Sequence, residues 1–417
     1  MSNNRSSKST NPSTAKLSQQ IIEQASGWTE SGSYYEEKIR EKAIARLVEM
    51  LLDTGHDDDL NTILNTLDRR GIDAGMVILE QVHHLCQYQT VELDGNTFEC
   101  LMMAAPILAW TRYRIPQTNL TAAQLRSMTQ ALESTILSPG VHAHCLSSLY
   151  SSTELPMSYT KIRTLLRKLV QKLVLGKKAS LPFNDYPEGF EPLADYRTLI
   201  FIAVAPQGQP IMRWLFDSST SREDCLERWQ SHVMEILADH FAGCKLEVLL
   251  PDAFLNSVHE ADEKIRPLNI HASVNWLHHT LEVPMHDLCA SIMGFGDQDE
   301  IKEYRIGYTS KSSSEVIFGT IWPVFDTDID TPDHGSRWPT PESDGKMADD
   351  QVLQHNLNQI VQTLKDAGVQ DIRLFHEISP REYCDDCSAP LFPNTKGEVV
   401  HPELPDESFG SSPNKFH

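Results

Sequence analysis

The chain lacks the segments that would place it in or across a membrane. Residues 1–14 carry five Ser, three Asn and two Thr, and no large apolar residue after Met1. A secretory signal needs an apolar stretch behind its basic start. The longest clean apolar run, 199–205, falls far short of the ~20 residues that span a bilayer. A cytoplasmic protein is therefore expected. Positive charge is also scarce. Asp and Glu number 58 against 36 Lys and Arg, a formal charge of −22. Phosphate contacts need clustered Lys and Arg, so nucleic acid is excluded as a partner. Anionic lipid is excluded on the same ground.

Complete catalytic signatures are absent too. There is no GxSxG elbow, no HExxH and no Walker loop. Asp326, Asp328 and Asp330 open like a calcium loop, but Thr331 stands at the glycine position and Arg337 at the glutamate position. His142 and His144 share a strand face without an acidic or thiolate partner at a telling distance. His278 and His279 point two ways on a helix and read as surface. Gly294 and Gly296 read as a strand-end turn rather than a phosphate loop.

What is present is an organised pattern. The 417 residues allow two or three domains. From Leu17 to Gly176 the apolar spacing is largely helical, with helices over 34–52, 57–70, 73–88, 121–137 and 158–175. Asp94-Gly95 marks a hairpin turn before the third of these gives way to the next. The last helix has a basic face (Lys161, Arg163, Arg167, Lys168, Lys172), expected to be solvated or packed on this protein's own acidic residues. Beyond 195 the period shortens. Strands are expected at 198–205, 211–216 and 245–250, with a helix at 221–241 capped by Ser221. The order recurs later. Asp195-Tyr196-Arg197 and Glu303-Tyr304-Arg305 each open a strand pair, then a helix and a further strand.

The expected fold is thus α+β. It has a disordered N-terminus (1–15), a helical domain (16–176) and a linker (177–195). An α+β domain follows (196–383) with a duplicated strand–strand–helix–strand unit and a mobile acidic insert (327–348). A zinc-knuckle-like tail (384–417) ends the chain.

The clearest chemical signal lies in that tail. Cys384 and Cys387 sit three positions apart, where a tight turn lets both sulfurs face one ion. A tetrahedral zinc needs four ligands. His401 supplies a third, and His417, His376 or water the fourth. The redox alternative is weaker, because Pro390 and Pro393 follow and no helix begins at the pair. The other six cysteines stand singly and read as small core residues. A second cluster, Asp252, His259, Asp262 and Arg266, places an acid, a base and a cation on one helix face. It offers proton transfer or anion binding, or simply an intrahelical Asp262–Arg266 pair beside an incidental histidine. A third stretch, 105–116, combines Trp110, Arg112, Tyr113 and Arg114 and reads as core at helix spacing.

Several blocks together carry a family resemblance. They are APILAWTRYRIP at 105–116, LLPDAF at 249–254, EADEKIRP at 260–267, EYRIGYT at 303–309, GTIWPVF at 319–325, YCDDCSAPLFPN at 383–394 and GEVVHPELP at 397–405. From about Leu17 onward the chain is similar to an uncharacterised, mostly betaproteobacterial family, a domain of unknown function. The resemblance implies a bacterial cytosolic protein and assigns no catalytic role. The family's usual glycine is Ser388 here, and glycine tolerates a left-handed backbone that serine resists. The expected function is non-enzymatic: an interaction or regulatory protein with a protein partner or self-association, and a structural zinc. The alternative is an enzyme or small-anion binder built on Asp252, His259, Asp262 and Arg266.

Overall fold

In a computed structural model, the structure describes residues 12–55, 57–72, 74–112, 115–116, 119–156, 158–176, 192–297, 300–311, 313–324 and 345–403. The expected disordered N-terminus, linker and acidic insert fall largely outside these residues, as do Tyr113, Arg114, the 326–330 aspartates and His417. The fold is mixed α+β, with N-terminal helices followed by sheets interleaved with helices.

Four helices come first: α1 (Pro12–Thr29), α2 (Tyr34–Asp53), α3 (Asp57–Arg69) and α4 (Gly75–Gln87). Ser33 caps α2 by accepting from the Glu36 N–H. Their apolar stripes meet in one core containing Ile21, Ile44, Val48, Ile63 and Ile78. Next come β1 (Tyr88–Leu93) and β2 (Asn96–Trp110), joined at Asp94-Gly95, both with positive φ. The chain continues through α5 (Ala122–Thr135), β3 (His142–Cys145), β4 (Tyr150–Ser151), α6 (Tyr159–Val174) and β5 (Ala194–Pro206). β5 pairs antiparallel with β2 along its whole length, Trp110 opposite Ala194 and Phe98 opposite Pro206. The pairing joins segments on either side of the expected linker.

The 105–116 stretch therefore differs from its helical reading. Residues 104–109 are buried on both faces of a central strand. An apolar run covered on two sides has no period to distinguish it from a buried helix. The seven-stranded sheet is completed by β6 (Lys245–Val248) and β7 (Asp252–Ala253) on β2. One face meets the first core, and α5 and α8 (Arg222–Leu237) cover the other through Met128, Leu132, Trp229 and Val233.

Residues 211–216 also depart from expectation. Instead of a second strand they form a bridge at Met212 and one helical turn, α7 (Arg213–Phe216). The Arg213 N–H donates to the Ile136 carbonyl and its guanidinium to the Glu133 carbonyl, which draws the segment onto α5. The first copy of the expected repeat thus lacks one strand.

The second copy has every element. β8 (Leu288–Asp297) and β9 (Glu300–Ser310) form a hairpin, with Gly294 and Gly296 among the last four residues of β8 and a register shift between Phe295 and Gly296. β10 (Phe318–Pro323), α10 (Gly345–Asp366) and β11 (Asp371–Ser379) follow, in the sheet order β10-β9-β8-β11 with β11 parallel to β8. In the first sheet β6 runs antiparallel to β2. α9 (Phe254–His279) joins the two sheets. Its first half buries Phe254, Val258 and Ala261 in the first core, and its second half buries Ile270, Val274 and Leu277 against the second sheet. The basic face of α6 is met internally by Glu49 and Asp53: Arg163 contacts both at 2.7 and 3.1 Å, and Arg167 reaches Asp53 at 2.7 Å.

Candidate metal centre

Helices cover one face of the second sheet, through Ile360 and Leu364 of α10 and the second half of α9. On the other face lies the segment after β11. It is seated by two glycines. A Cβ on Gly307 would stand 2.1 Å from the Pro393 carbonyl oxygen, and one on Gly319 would stand 2.4 Å from the Phe392 ring. Only glycine permits so close an approach. Phe392 is fully buried there.

Arg305 fixes the base of the loop. Its guanidinium is fully buried between the rings of Phe295 and Tyr383, with centroids 4.4 and 5.0 Å away. Nη1 donates to the carbonyls of Glu382 (2.7 Å) and Leu391 (2.8 Å), and Nε pairs with Glu303 at 2.6 Å. Glu382 and Leu391 bracket the cysteine pair. Inside the bracket the Ser388 N–H donates to the Cys384 carbonyl at 2.9 Å and the Cys384 N–H to the Ala389 carbonyl at 2.8 Å. Ser388 takes the left-handed backbone, φ +58°, that the turn demands. The N–H groups of Cys387 and Asp386 point at the Cys384 sulfur and hold that thiol below its ordinary pKa.

The third donor arrives by a short hairpin. β12 (Phe392–Pro393) pairs with β13 (Val399–Val400) around an Asn394 turn. The buried Asn394 side chain accepts from the Lys396 and Glu398 N–H groups at 2.8 and 3.0 Å. The return strand brings His401 back to the cysteines. Its Nε2 lies 3.2 Å from the Cys387 sulfur, and the ligand atoms of Cys384, Cys387 and His401 all lie within 4.8 Å of one another. Tetrahedral zinc with ~2.3 Å sulfur and ~2.0 Å nitrogen bonds separates its ligand atoms by about 3.5–3.8 Å. The cluster needs only small side-chain rotations to meet that. Both cysteines are partly buried and His401 is exposed. His376, exposed on β11, is not part of the group.

The second predicted cluster is directed elsewhere. Asp252 accepts from the Ala253 N–H (2.7 Å) and pairs with Arg222 at 3.2 Å. The charge of His259 acts on His83. Asp262 accepts from the Tyr196 hydroxyl at 2.8 Å. Arg266 is buried over Trp322 and donates to the carbonyls of Asp262 and Pro323 and to Asn356. The residue that sequence reasoning missed is Arg305. Its signal was an arginine inside an otherwise buried strand pattern, preceded by acid and tyrosine as Arg197 is.

Fold and cluster together define an α+β protein with a cysteine–histidine group near its C-terminal end. Residues 5–415 match a family described as "Protein of unknown function (DUF2863)". The chain belongs to that family. No curated protein and no solved structure matches it. No helix among the described residues is long and apolar enough to cross a membrane.

Proposed function

We propose that the protein is a non-enzymatic interaction or regulatory protein of the bacterial cytosol whose C-terminal segment binds zinc. Cys384, Cys387 and His401 supply three ligands. His417, sixteen positions beyond His401, supplies the fourth, a distance the chain spans easily at ~3.3 Å per residue. The partner is another protein or a second copy of this chain, since the acidic balance disfavours nucleic acid and anionic lipid. One observation supports the metal above all: three soft or borderline donors, two from the turn between β11 and β12 and one just after β13, converge within 4.8 Å. Borderline-soft zinc suits a Cys2His set, whereas magnesium and calcium prefer oxygen.

Metal analysis of the purified chain tests this. One zinc per chain is expected, reduced to a small fraction in Cys384→Ser. His417→Ala should weaken zinc retention against a chelator by about ten- to a hundredfold. Full retention there would remove His417 from the ligand set. Zinc absent from wild type, and not taken up on titration, would remove the metal.

A further inference from the structure

The cysteine pair differs from every other cysteine in the chain. Cys86, Cys100, Cys225 and Cys289 are buried, and Cys145 and Cys244 are partly so. Burial pushes the Cys86 thiol up to about 12 and that of Cys100 to about 11, and it raises those of Cys145, Cys225, Cys244 and Cys289 as well. Protonated thiols of that kind are inert. Cys384 and Cys387 are partly buried, as Cys145 and Cys244 are, but their sulfurs lie within 4.8 Å of each other and of the exposed His401, on a loop held by protein contacts. Arg305 holds both ends of that loop, Phe392 anchors it in the sheet, and its own backbone hydrogen bonds close the turn. These protein contacts are expected to keep the segment seated when a metal leaves.

We propose that Cys384 and Cys387 form a reversible oxidation site for hydroperoxides, in which closing a disulfide between them expels the metal. This rests on the zinc reading above. One thiolate attacks a peroxide oxygen, the O–O bond breaks, and sulfenic acid and water result. The second thiolate then attacks that sulfur, the S–O bond breaks, and hydroxide leaves as water. In sum, two thiolates, one hydrogen peroxide and two protons give one disulfide and two waters. The sulfurs lose two electrons and the peroxide gains them. Zinc, having lost both sulfur ligands and left with the imidazoles of His401 and the proposed fourth ligand His417, dissociates as the divalent ion. His401 is exposed, so the ion leaves directly to solvent.

The test treats the purified, zinc-loaded full chain with hydrogen peroxide. Zinc release is followed with a chromophoric indicator, and disulfides are mapped by alkylation and peptide mass. The expected result is stoichiometric release with a Cys384–Cys387 bond, reversed by dithiothreitol and added zinc, with the far-ultraviolet circular dichroism unchanged. In His401→Ala, which weakens zinc but keeps both thiols, the same disulfide forms. The proposal is overturned if zinc leaves without that bond, if either cysteine pairs elsewhere, or if peroxide consumes other cysteines first. A chain that never binds zinc would sink the metal reading, while its disulfide map would still decide this one.

Discussion

Arg197 on β5 and Arg305 on β9 follow the same local sequence, an acid and then a tyrosine, and both are buried. Each pairs with the acid two positions back, Asp195 or Glu303, and each donates to loop carbonyls from a distant segment. Arg197 reaches Pro116 at 3.3 Å and Ile115 at 3.4 Å. Arg305 reaches Glu382 and Leu391. Two residues further on the regions diverge. The first sheet has Leu199, which enters a core built by α5 and α8. The second has Gly307, against which the chain's own backbone lies. One clamp thus locks a loop into a sheet covered by helices on both faces. The other makes a sheet face that no helix among the described residues covers into a seat for the segment bearing Cys384, Cys387 and His401. The second clamp is also less complete, since Nη2 of Arg305 has no hydrogen-bond partner among the described residues.

Removing each clamp should separate the regions. Arg197→Met leaves the Asp195 carboxylate, 3% exposed, without its cation. Stranding a buried charge costs about 3–5 kcal/mol, so urea unfolding should shift globally. A loss under ~1 kcal/mol would show that the two clamps are not equivalent in kind.

Acid should then pull the first region apart before the second. His83, on α4, lies against the Tyr159 ring of α6 and feels the charge of His259 on α9. Burial first, and the His259 charge second, lower its pKa from 6.5 to about 4. The unfolded chain binds the extra proton, so this stability is fully present above about pH 6.5 and fades as pH falls toward 4. The loss is at most about 3 kcal/mol. In His83→Gln the pH dependence of the urea midpoint over that window should flatten. An unchanged slope would place the titration elsewhere.

Arg305→Met breaks two carbonyl bonds to a charged donor, about 2–3 kcal/mol for the segment it holds. Amide exchange should quicken across 382–393 while β5 amides keep their protection. Gly307→Ala should act on the same segment by about 1–3 kcal/mol, through overpacking against Pro393. Uniform loss of protection in either variant would mean that the tail is part of one cooperative core.

The legible parts of this fold were those with a period. α2, α3, α5 and α6 lie within a residue or two of their apolar spacing, because one face of each is wet. β2 was not legible, since both its faces are dry and the run of 104–109 carries no alternation. The 213–216 turn was hidden for another reason. Its conformation is set by hydrogen bonds to α5, some eighty positions away, and no local pattern records them. At the site, Cys384, Cys387 and His401 were readable because ligand chemistry restricts residue type and spacing. The structure brings those three together and sends Asp252, Asp262 and Arg266 to separate partners. Arg305 was not readable as a site residue, because its role lies in which carbonyls it reaches.

The smallest expected effect tests the knuckle turn itself. Ser388 holds φ +58°, where an L side chain crowds the adjacent carbonyl and glycine does not. Ser388→Gly should therefore stabilise the bound turn by about 1 kcal/mol, offset in part by the greater freedom of glycine in the unfolded chain. The first clamp has no such turn, so the gain should appear only around the second. It would be read as slower amide exchange at Ser388 and Ala389 and a severalfold tighter hold on zinc against a chelator, with the urea midpoint of the first sheet unmoved. A decrease in both would mean that the serine hydroxyl does something in the turn that its backbone angle does not reveal.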